Sequence, residues 1–174
     1  MLNILFSDFG LGDAMPAQTD YSIDDLDARI ILDMAEHPRS GVLEMSRRLG
    51  VARNTVYARL ARLEESGVIT GYGPDVDLAA IGYDVQAFCT IELLQGRFSE
   101  VAEKLSSIPE VIEIHTIAGQ GDLVCKVVST SNPGVMAVVE QILKIEGVDR
   151  TTTAISLTEQ MKRRTHQLIE GVLT

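Results

Sequence analysis

The stretch "RNTVYARLARLEESGVITGY", residues 53–72, decides how the first part of the chain folds. Its apolar residues Val56, Leu60 and Leu63 recur at three- and four-residue spacing, which predicts a helix with one buried face. Gly67 follows in the position after a helix where glycine is favoured, and "VITGY" then predicts a strand. Such an arginine-rich helix is typical either of a DNA-binding domain or of an ordinary solvated surface.

Charge is distributed unevenly along the chain, and this matters more than the formal net charge of -10. Residues 39–63 carry six arginines against Glu44 alone, a net charge of +5, whereas 1–38 and 64–174 carry -7 and -8. A local basic patch can bind phosphate while the acidic remainder opposes weak, non-specific association. We call these six arginines the basic island: Arg39, Arg47, Arg48, Arg53, Arg59 and Arg62.

Two more helices are predicted before the arginine-rich one. Residues 23–36 have helical apolar spacing with aspartates in the first turn, where a helix N-terminus favours negative charge. The segment "VLEMSRRLG" (42–50) predicts a short second helix that ends at its glycine. A supporting helix before two helices joined by a tight turn is the pattern of a helix-turn-helix DNA-binding domain. The inward residues predicted for the second helix are Leu43, Met45 or Ser46, and Leu49.

The second half predicts a β-α-β-β-α-β order, which is the ferredoxin-like arrangement. Its last helix has Asn132 as the expected N-cap and Pro133 at the first position. A tight turn at Gln120-Gly121 joins the two central strands. The predicted strands are 84–94, 111–119, 122–130 and 148–157, and the first helix lies around 98–107.

The chain is therefore predicted to be an α+β protein of two domains. The first is a winged-type helix-turn-helix domain and the second a ferredoxin-like domain. The expected boundaries are a flexible extension at 1–22, the helix-turn-helix domain at 23–72, a linker at 73–83, the ferredoxin-like domain at 84–158 and a tail at 159–174, either helical or frayed.

Several classes of function lack any positive signal. The sequence has no apolar run of the roughly 18 residues that a membrane helix needs. It contains no nucleophile–base pair, phosphate-binding loop or metal-ligand spacing, so we expect no enzyme activity, metal or cofactor. Cys89 and Cys125 stand alone in apolar runs, which predicts buried free thiols and a reducing cytoplasm.

Residues 23–72 resemble the DNA-binding domain of the Lrp/AsnC family, the leucine-responsive and asparagine-synthesis regulators. "IDDLDARII" resembles its L-D-x-x-D-x-x-I-L, and "RNTVYARLARLEESGVITGY" resembles its V-x-x-R-[IV]-x-R-L-E-x-x-G-[FVI]-I-x-G-Y. The ferredoxin-like half is similar to the family's regulatory (RAM) domain. The resemblance implies a sequence-specific, double-stranded-DNA-binding transcriptional regulator. It also implies homodimers that assemble into an octamer and bind a small amino-acid effector between dimers.

Candidate DNA contacts follow from side-chain chemistry within this pattern. Side chains at the start of the third helix point toward the major groove, where Arg and Asn can bond guanine and adenine edges in bidentate fashion. Arginines of the preceding helix are better placed for phosphates. Arg59 is open between a DNA contact and an ion pair with Asp27. The predicted DNA-binding residues are Arg39, Arg47, Arg48, Arg53, Asn54, Thr55, Tyr57 and Arg62.

The resemblance implies an effector loop at "AGQGDLVCKV" (118–127), where Gln120 and Gly121 replace an Asp and an aromatic residue. Loss of the ring favours a small or medium neutral amino acid. The alternative for this loop is a plain hairpin turn with a local role for Asp122. A second departure is Ala52, which replaces the serine that caps the third helix. The predicted effector residues are Gly119, Gln120, Gly121, Asp122, Thr151 and Thr153.

Two other functions are compatible with the same fold. An architectural DNA-binding protein would wrap or bridge DNA without sensing a ligand. An amino-acid-binding enzyme, or the regulatory subunit of one, would use the ferredoxin-like half alone. The basic helix-turn-helix segment argues against this last alternative.

Overall fold

The structure is a computed structural model, and it describes residues 21–94 and 97–173. The chain folds into two compact units. Of the described residues, 21–74 and 161–173 form the helical unit, and those between Asp75 and Gln160 form the sheet unit. Except for its last two positions, the extension predicted at 1–22 lies outside the described residues.

Three helices build the helical unit at the predicted places: α1 (Asp25–Glu36), α2 (Val42–Leu49) and α3 (Arg53–Glu65). Asp24 caps α1, because its side chain accepts from the Asp27 amide at 2.9 Å and the Asp27 side chain accepts from the Asp24 amide at 3.2 Å. This reciprocal pair satisfies two of the amides that a helix N-terminus leaves without partners.

The apolar spacing of the sequence is confirmed in the core of this unit. Ile30, Met45, Val56 and Leu63 are buried together. Leu43, which was expected to face inward, is instead 42% exposed, and Ser46 takes the inward position beside Met45. The partly buried residues around this core include Ile23, Leu26, Ile31, Met34, Leu49, Leu60 and Ile69.

The strand predicted at 68–72 is wrong, because the structure has no strand there. Gly67 adopts a φ of 71° and turns the chain back, so that the Ile69 amide donates to the Leu63 carbonyl at 3.0 Å. Ile69 then packs on the core. A strand needs a partner to pair its backbone groups, and the described part of the helical unit contains none. In the tail, α6 (His166–Glu170) packs against α1.

The sheet unit has the predicted β-α-β-β-α-β order, and all its strands are antiparallel in the spatial order β2-β3-β1-β4. A short 3-10 helix, Ala79–Ile81, lies in the segment predicted as a linker. Ser131, rather than Asn132, caps the second helix of the unit by accepting from the Gly134 amide at 3.2 Å. The elements are β1 (Val85–Leu93), α4 (Phe98–Ser106), β2 (Val111–Thr116), β3 (Leu123–Ser129), α5 (Asn132–Leu143) and β4 (Val148–Ile155).

Both helices of the sheet unit cover the same face of the sheet. Cys89 and Ile91 of β1 pack there with Leu105 of α4 and Ile142 of α5. Cys125 lies directly opposite Cys89, and both thiols are free and fully buried, as predicted. Because side chains alternate along a strand, neighbouring residues such as Phe88 point to the opposite face, which we call the open face.

Candidate nucleic-acid interface and effector loop

The basic island divides into two groups of arginines. Arg48 of α2 belongs to the first group, because its guanidinium binds Asp33 of α1 with two hydrogen bonds of 2.6 and 2.8 Å. Asp33 is only 8% exposed. The Arg48 guanidinium lowers the pKa of Asp33 below its usual value, so this carboxylate is charged at neutral pH and neutralises Arg48.

Asp27 of α1 holds the other two arginines of this group. Its fully buried carboxylate accepts from Arg59 at 3.0 Å and from Arg62 at 3.2 Å. The Tyr21 hydroxyl also donates to it, at 2.6 Å, and the Arg62 guanidinium lies 4.7 Å above the Tyr21 ring. Arg59 binds Asp24 as well. We call Tyr21, Asp24, Asp27, Arg59 and Arg62 the Asp27 cluster.

The Asp27 cluster is charged and internally compensated. Burial acts to raise the pKa of Asp27, but hydrogen bonds from the Tyr21 hydroxyl, the Asp24 amide and Arg59 hold that pKa below its usual value. The hydrogen bond from Arg59 likewise lowers the pKa of Asp24. Both carboxylates are therefore ionised at neutral pH, and the buried charge of Asp27 has the partners that a buried charge needs.

The second group is Arg39, Arg47 and Arg53, and these have no ion pair with any carboxylate in the described ranges 21–94 and 97–173. All three side chains are exposed. Arg53 opens α3, and the exposed residues Asn54 and Thr55 follow it in the first turn. This end of α3 therefore presents a planar cation and an amide that suit the edges of guanine and adenine.

Ala52 leaves the first turn of α3 without a side-chain cap. The Asn54 side chain does not replace the missing serine within the described structure. Tyr57, one turn further, is 52% exposed. The free amides of the first turn and the side chains of Arg53, Asn54, Thr55 and Tyr57 form one polar, cationic surface at the helix N-terminus.

Two of the arginines predicted to contact DNA instead form ion pairs within the protein. The guanidinium groups of Arg48 and Arg62 are already bound to carboxylates of α1. For Arg59, the alternative of an ion pair with Asp27 is what the structure contains. Sequence reasoning missed Tyr21 and Asp33, although the inward position of Asp33 on α1, three residues after Ile30, was an available signal.

Hydrogen bonds join the predicted effector loop to β1. The Asp122 amide donates to the Ile91 carbonyl at 2.9 Å, and its side chain accepts from the Leu93 amide at 2.7 Å. Gly121 has a φ of 84°, and a Cβ there would lie 2.5 Å from the Thr90 methyl. An aromatic residue therefore cannot replace this glycine without moving the loop. Gly119 and Gln120 remain exposed.

The two threonines predicted for the effector site lie on β4, on the face that carries the helices. Thr151 is paired with Ile91, and the Ile91 carbonyl accepts a hydrogen bond from the Asp122 amide. Thr151 therefore lies across β1 from the loop. Two strand spacings put this separation at about 10 Å. Thr153 is paired with Cys89, and its hydroxyl donates to the Cys89 sulfur at 3.5 Å.

The described part of the chain offers neither a membrane-spanning helix nor a cluster of metal ligands. No described helix has the length and apolar character needed to cross a membrane. Nor do three or more His, Cys, Asp or Glu side chains among the described residues come together as metal ligands.

Sequence comparisons match both halves of the chain. The profile of the winged helix-turn-helix DNA-binding domain matches residues 23–70, and that of the Lrp/AsnC ligand binding domain matches residues 86–166. The HTH-type transcriptional regulator FL11 of Pyrococcus furiosus is 35% identical over 135 residues, which are 78% of this chain and 89% of that protein. The regulator Rv2324 of Mycobacterium tuberculosis is 29% identical, over 81% of this chain and 96% of its own length.

Solved structures agree with the fold. AsnC of E. coli superposes with a TM-score of 0.77 at 29% identity, covering 84% of this chain and 99% of that one. A transcriptional regulator of Neisseria meningitidis, in complex with L-methionine, superposes with a TM-score of 0.73 at 21% identity, over 81% and 94% of the two chains. These matches confirm the predicted two-domain α+β fold, and the relatives are regulators rather than enzymes.

Proposed function

The chain belongs to the Lrp/AsnC family of DNA-binding transcriptional regulators, and from this premise we propose which residues read DNA and what controls the reading. The first turn of α3 enters the major groove, where Arg53 and Asn54 contact base edges and Thr55 and Tyr57 line the same surface. Arg39 and Arg47 bind the flanking phosphates. The observation that carries this assignment is that Arg39, Arg47 and Arg53 have no carboxylate partner among the described residues.

In this proposal Arg48 and Arg62 leave the predicted set of DNA contacts. Their guanidinium groups stabilise the packing of α2 and α3 on α1, through Asp33 and Asp27. The cationic surface offered to DNA is consequently three arginines from each chain instead of six. Two copies of α3, about one helical turn of DNA apart, would read two half-sites of an operator.

The proposed effector is a small or medium neutral amino acid bound at the loop 119–122. Support comes from the match to a ligand-binding domain and from the exposed, glycine-containing loop at Gly119 and Gln120. Exposed backbone amides suit the carboxylate of an amino acid. Asp122 already accepts from the Leu93 amide, so its first role is to hold the loop against β1. Thr151 and Thr153 lie on β4 and pair with β1, the strand that holds the loop.

A DNA-binding assay tests the effector proposal. The chain would first select a duplex from a randomised library, and fluorescence anisotropy would then compare its affinity for that duplex across the twenty amino acids. L-methionine comes first, since a regulator of the same fold is known in complex with it. We expect at least one amino acid to change the affinity, and linkage then requires DNA to change the affinity for that amino acid by the same factor. If none has an effect, the ligand-independent architectural alternative is favoured.

We further propose that the chains pair through the open face and that the pairs assemble into an octamer. Phe88 lies on this face in the central strand β1 and is 43% exposed, which favours burial against a second copy. Phe88→Glu should therefore give monomers in light scattering. Met136→Glu, an exposed methionine on α5, is the matched control and should leave pairing intact. If both variants keep the wild-type mass, pairing does not use the open face.

A further inference from the structure

We propose that Asp27 is a specificity-determining residue, because it withholds Arg59 and Arg62 from the phosphates of DNA. The inference rests on the proposed use of α3 as the reading helix. It concerns a residue that does not touch DNA and acts only through the two arginines it binds. Its consequence is a lower affinity for DNA, with a larger loss on non-specific than on specific duplexes, and hence a larger ratio between specific and non-specific binding.

Arg62 lies on the side of α3 that faces DNA in the proposed complex. It follows Thr55 by seven residues, which is two helical turns, and so shares its face of the helix. The Arg62 side chain is 50% exposed despite its bond to Asp27. A long arginine side chain at this place reaches the flanking DNA backbone once it is no longer held.

Several hydrogen bonds hold Arg59 and Arg62 in place. Asp27 is fully buried on α1 and accepts one hydrogen bond from each guanidinium. Tyr21 accepts a further bond from the Arg62 Nε at 2.9 Å. With an uncharged residue at position 27, both guanidinium groups lose their buried anion. Arg59 keeps its ion pair with Asp24, whereas for Arg62 phosphate becomes the strongest competing acceptor near bound DNA.

Released arginines would affect the two kinds of DNA binding unequally. A phosphate contact carries no sequence information, and each one steepens the dependence of log affinity on log salt by about 0.9. It therefore adds affinity for every duplex. On a specific duplex the positions of Arg53 and Asn54 are fixed by base contacts, which restricts where an added arginine can reach. The ratio between specific and non-specific affinity falls as a result.

A merely structural role for Asp27 predicts the opposite result. If the carboxylate only holds α3 on α1, its removal lowers the folded fraction or loosens α3. Binding to every duplex would then weaken, and the salt dependence would keep its slope or flatten. The sign of the change on non-specific DNA therefore distinguishes the two roles.

Asp27→Asn in the full chain is the test, and Asp25→Asn is its control. Both changes remove one negative charge from α1, but Asp25 is exposed, and among the described residues its ion pair is with Arg29, at 3.9 Å. The probes are a duplex selected by the wild-type chain and a scrambled duplex of the same composition. For Asp27→Asn we expect the salt slope on the scrambled duplex to steepen by about 1 for each chain, because Arg62 is released while Asp24 still holds Arg59, and we expect Asp25→Asn to leave the slope unchanged.

Two further variants separate the release of Arg62 from a loss of structure. Asp27→Asn combined with Arg62→Gln should remove most of the added slope, because Arg62 is the released arginine and Asp24 still holds Arg59. Tyr21→Phe removes the hydrogen bonds of the Tyr21 hydroxyl with Asp27 and Arg62 but leaves the ring against Arg62 and the ion pairs of Asp27, so it decides the question if Asp27→Asn does not fold. It should steepen the slope by less than Asp27→Asn.

The inference is overturned if Asp27→Asn, or Tyr21→Phe in its place, weakens binding to both duplexes without steepening the slope. It is also overturned if Asp27→Asn and Asp25→Asn behave alike. Failure of the wild-type chain to distinguish the selected duplex from the scrambled one would instead reject the proposed DNA contacts, and this inference with them.

Discussion

The two units of the chain are stabilised by different interactions. Among the described residues, the main apolar cluster of the sheet unit contains ten buried side chains between one sheet face and two helices. The main cluster of the helical unit contains four, and two buried carboxylates that bind arginines lie in the same unit. The helical unit therefore uses half of its basic island to hold its own helices. A net charge counted from sequence overstates the charge that such a unit can offer to DNA.

The largest expected effect is the loss of an apolar side chain from the sheet unit. Leu105→Ala removes a fully buried side chain from α4, which costs about 2 to 5 kcal/mol in the free energy of unfolding. Chemical denaturation followed by circular dichroism would measure it. Leu94→Ala, at an exposed position, is the control and should change the stability by less than about 0.5 kcal/mol. Equal losses in both variants would contradict the apolar account of this unit.

Asp33→Ala should have the next largest effect, and in the helical unit. It removes the acceptor of two charge-assisted hydrogen bonds from Arg48, worth about 1.5 to 3 kcal/mol together with the packing they fix. Asp25→Ala is the matched control on α1, because Asp25 is exposed and its ion pair with Arg29 is long, at 3.9 Å. Thermal unfolding of the two variants gives the comparison. A control as unstable as Asp33→Ala would show that the ion pair has no special role.

Acid should destabilise the helical unit. The folded pKa values of Asp24, Asp27 and Asp33 lie below the usual carboxyl value, so the unfolded chain takes up protons first as the pH falls. The stabilisation is complete above the ordinary pKa of about 4 and is lost as the pH falls through the lowered folded values. Calorimetry identifies the unfolding transition of the helical unit as the one that Asp33→Ala shifts. Between pH 7 and pH 3, this transition should move to lower temperature. A transition that keeps its temperature over this range would contradict the ion-pair account.

The smallest expected effect separates the two neighbouring arginines of α2. Arg47→Ala should flatten the salt slope of DNA binding by about 0.9 for each chain, because Arg47 has no carboxylate partner in the described structure. Arg48→Ala should leave that slope nearly unchanged and lower the melting temperature instead. Anisotropy titrations at several salt concentrations would compare them. Equal slopes in both variants would show that pairing with Asp33 does not withdraw Arg48 from DNA.

Elements with strong periodicity were predictable from the sequence. The spacing of Val56, Leu60 and Leu63 predicted α3, and the order of apolar segments predicted the sheet topology. The cap of α5 was misplaced by one residue, because Ser131 and Asn132 are both good N-caps. The prediction of a strand at 68–72 was wrong, because strand propensity alone does not supply a pairing partner.

The candidate site was harder to predict than the fold. Sequence placed the arginines on the right helices, but whether each one is free depends on a side chain far away in the chain. Arg48 meets Asp33 across 15 residues, and Arg62 meets Asp27 across 35. Helical periodicity does not encode such pairings. They follow from how α1 crosses α2 and α3, which only the three-dimensional packing defines.

The central claim is that the first turn of α3 reads DNA while the rest of the helix is anchored to α1. Its most direct test is the affinity of the Arg53→Ala, Asn54→Ala double variant for the selected and the scrambled duplex, measured by fluorescence anisotropy. We expect the ratio of the two affinities to fall by at least about tenfold, since each bidentate base contact is worth about 1 to 3 kcal/mol, with the melting temperature unchanged. A ratio equal to that of the wild-type chain would contradict the claim.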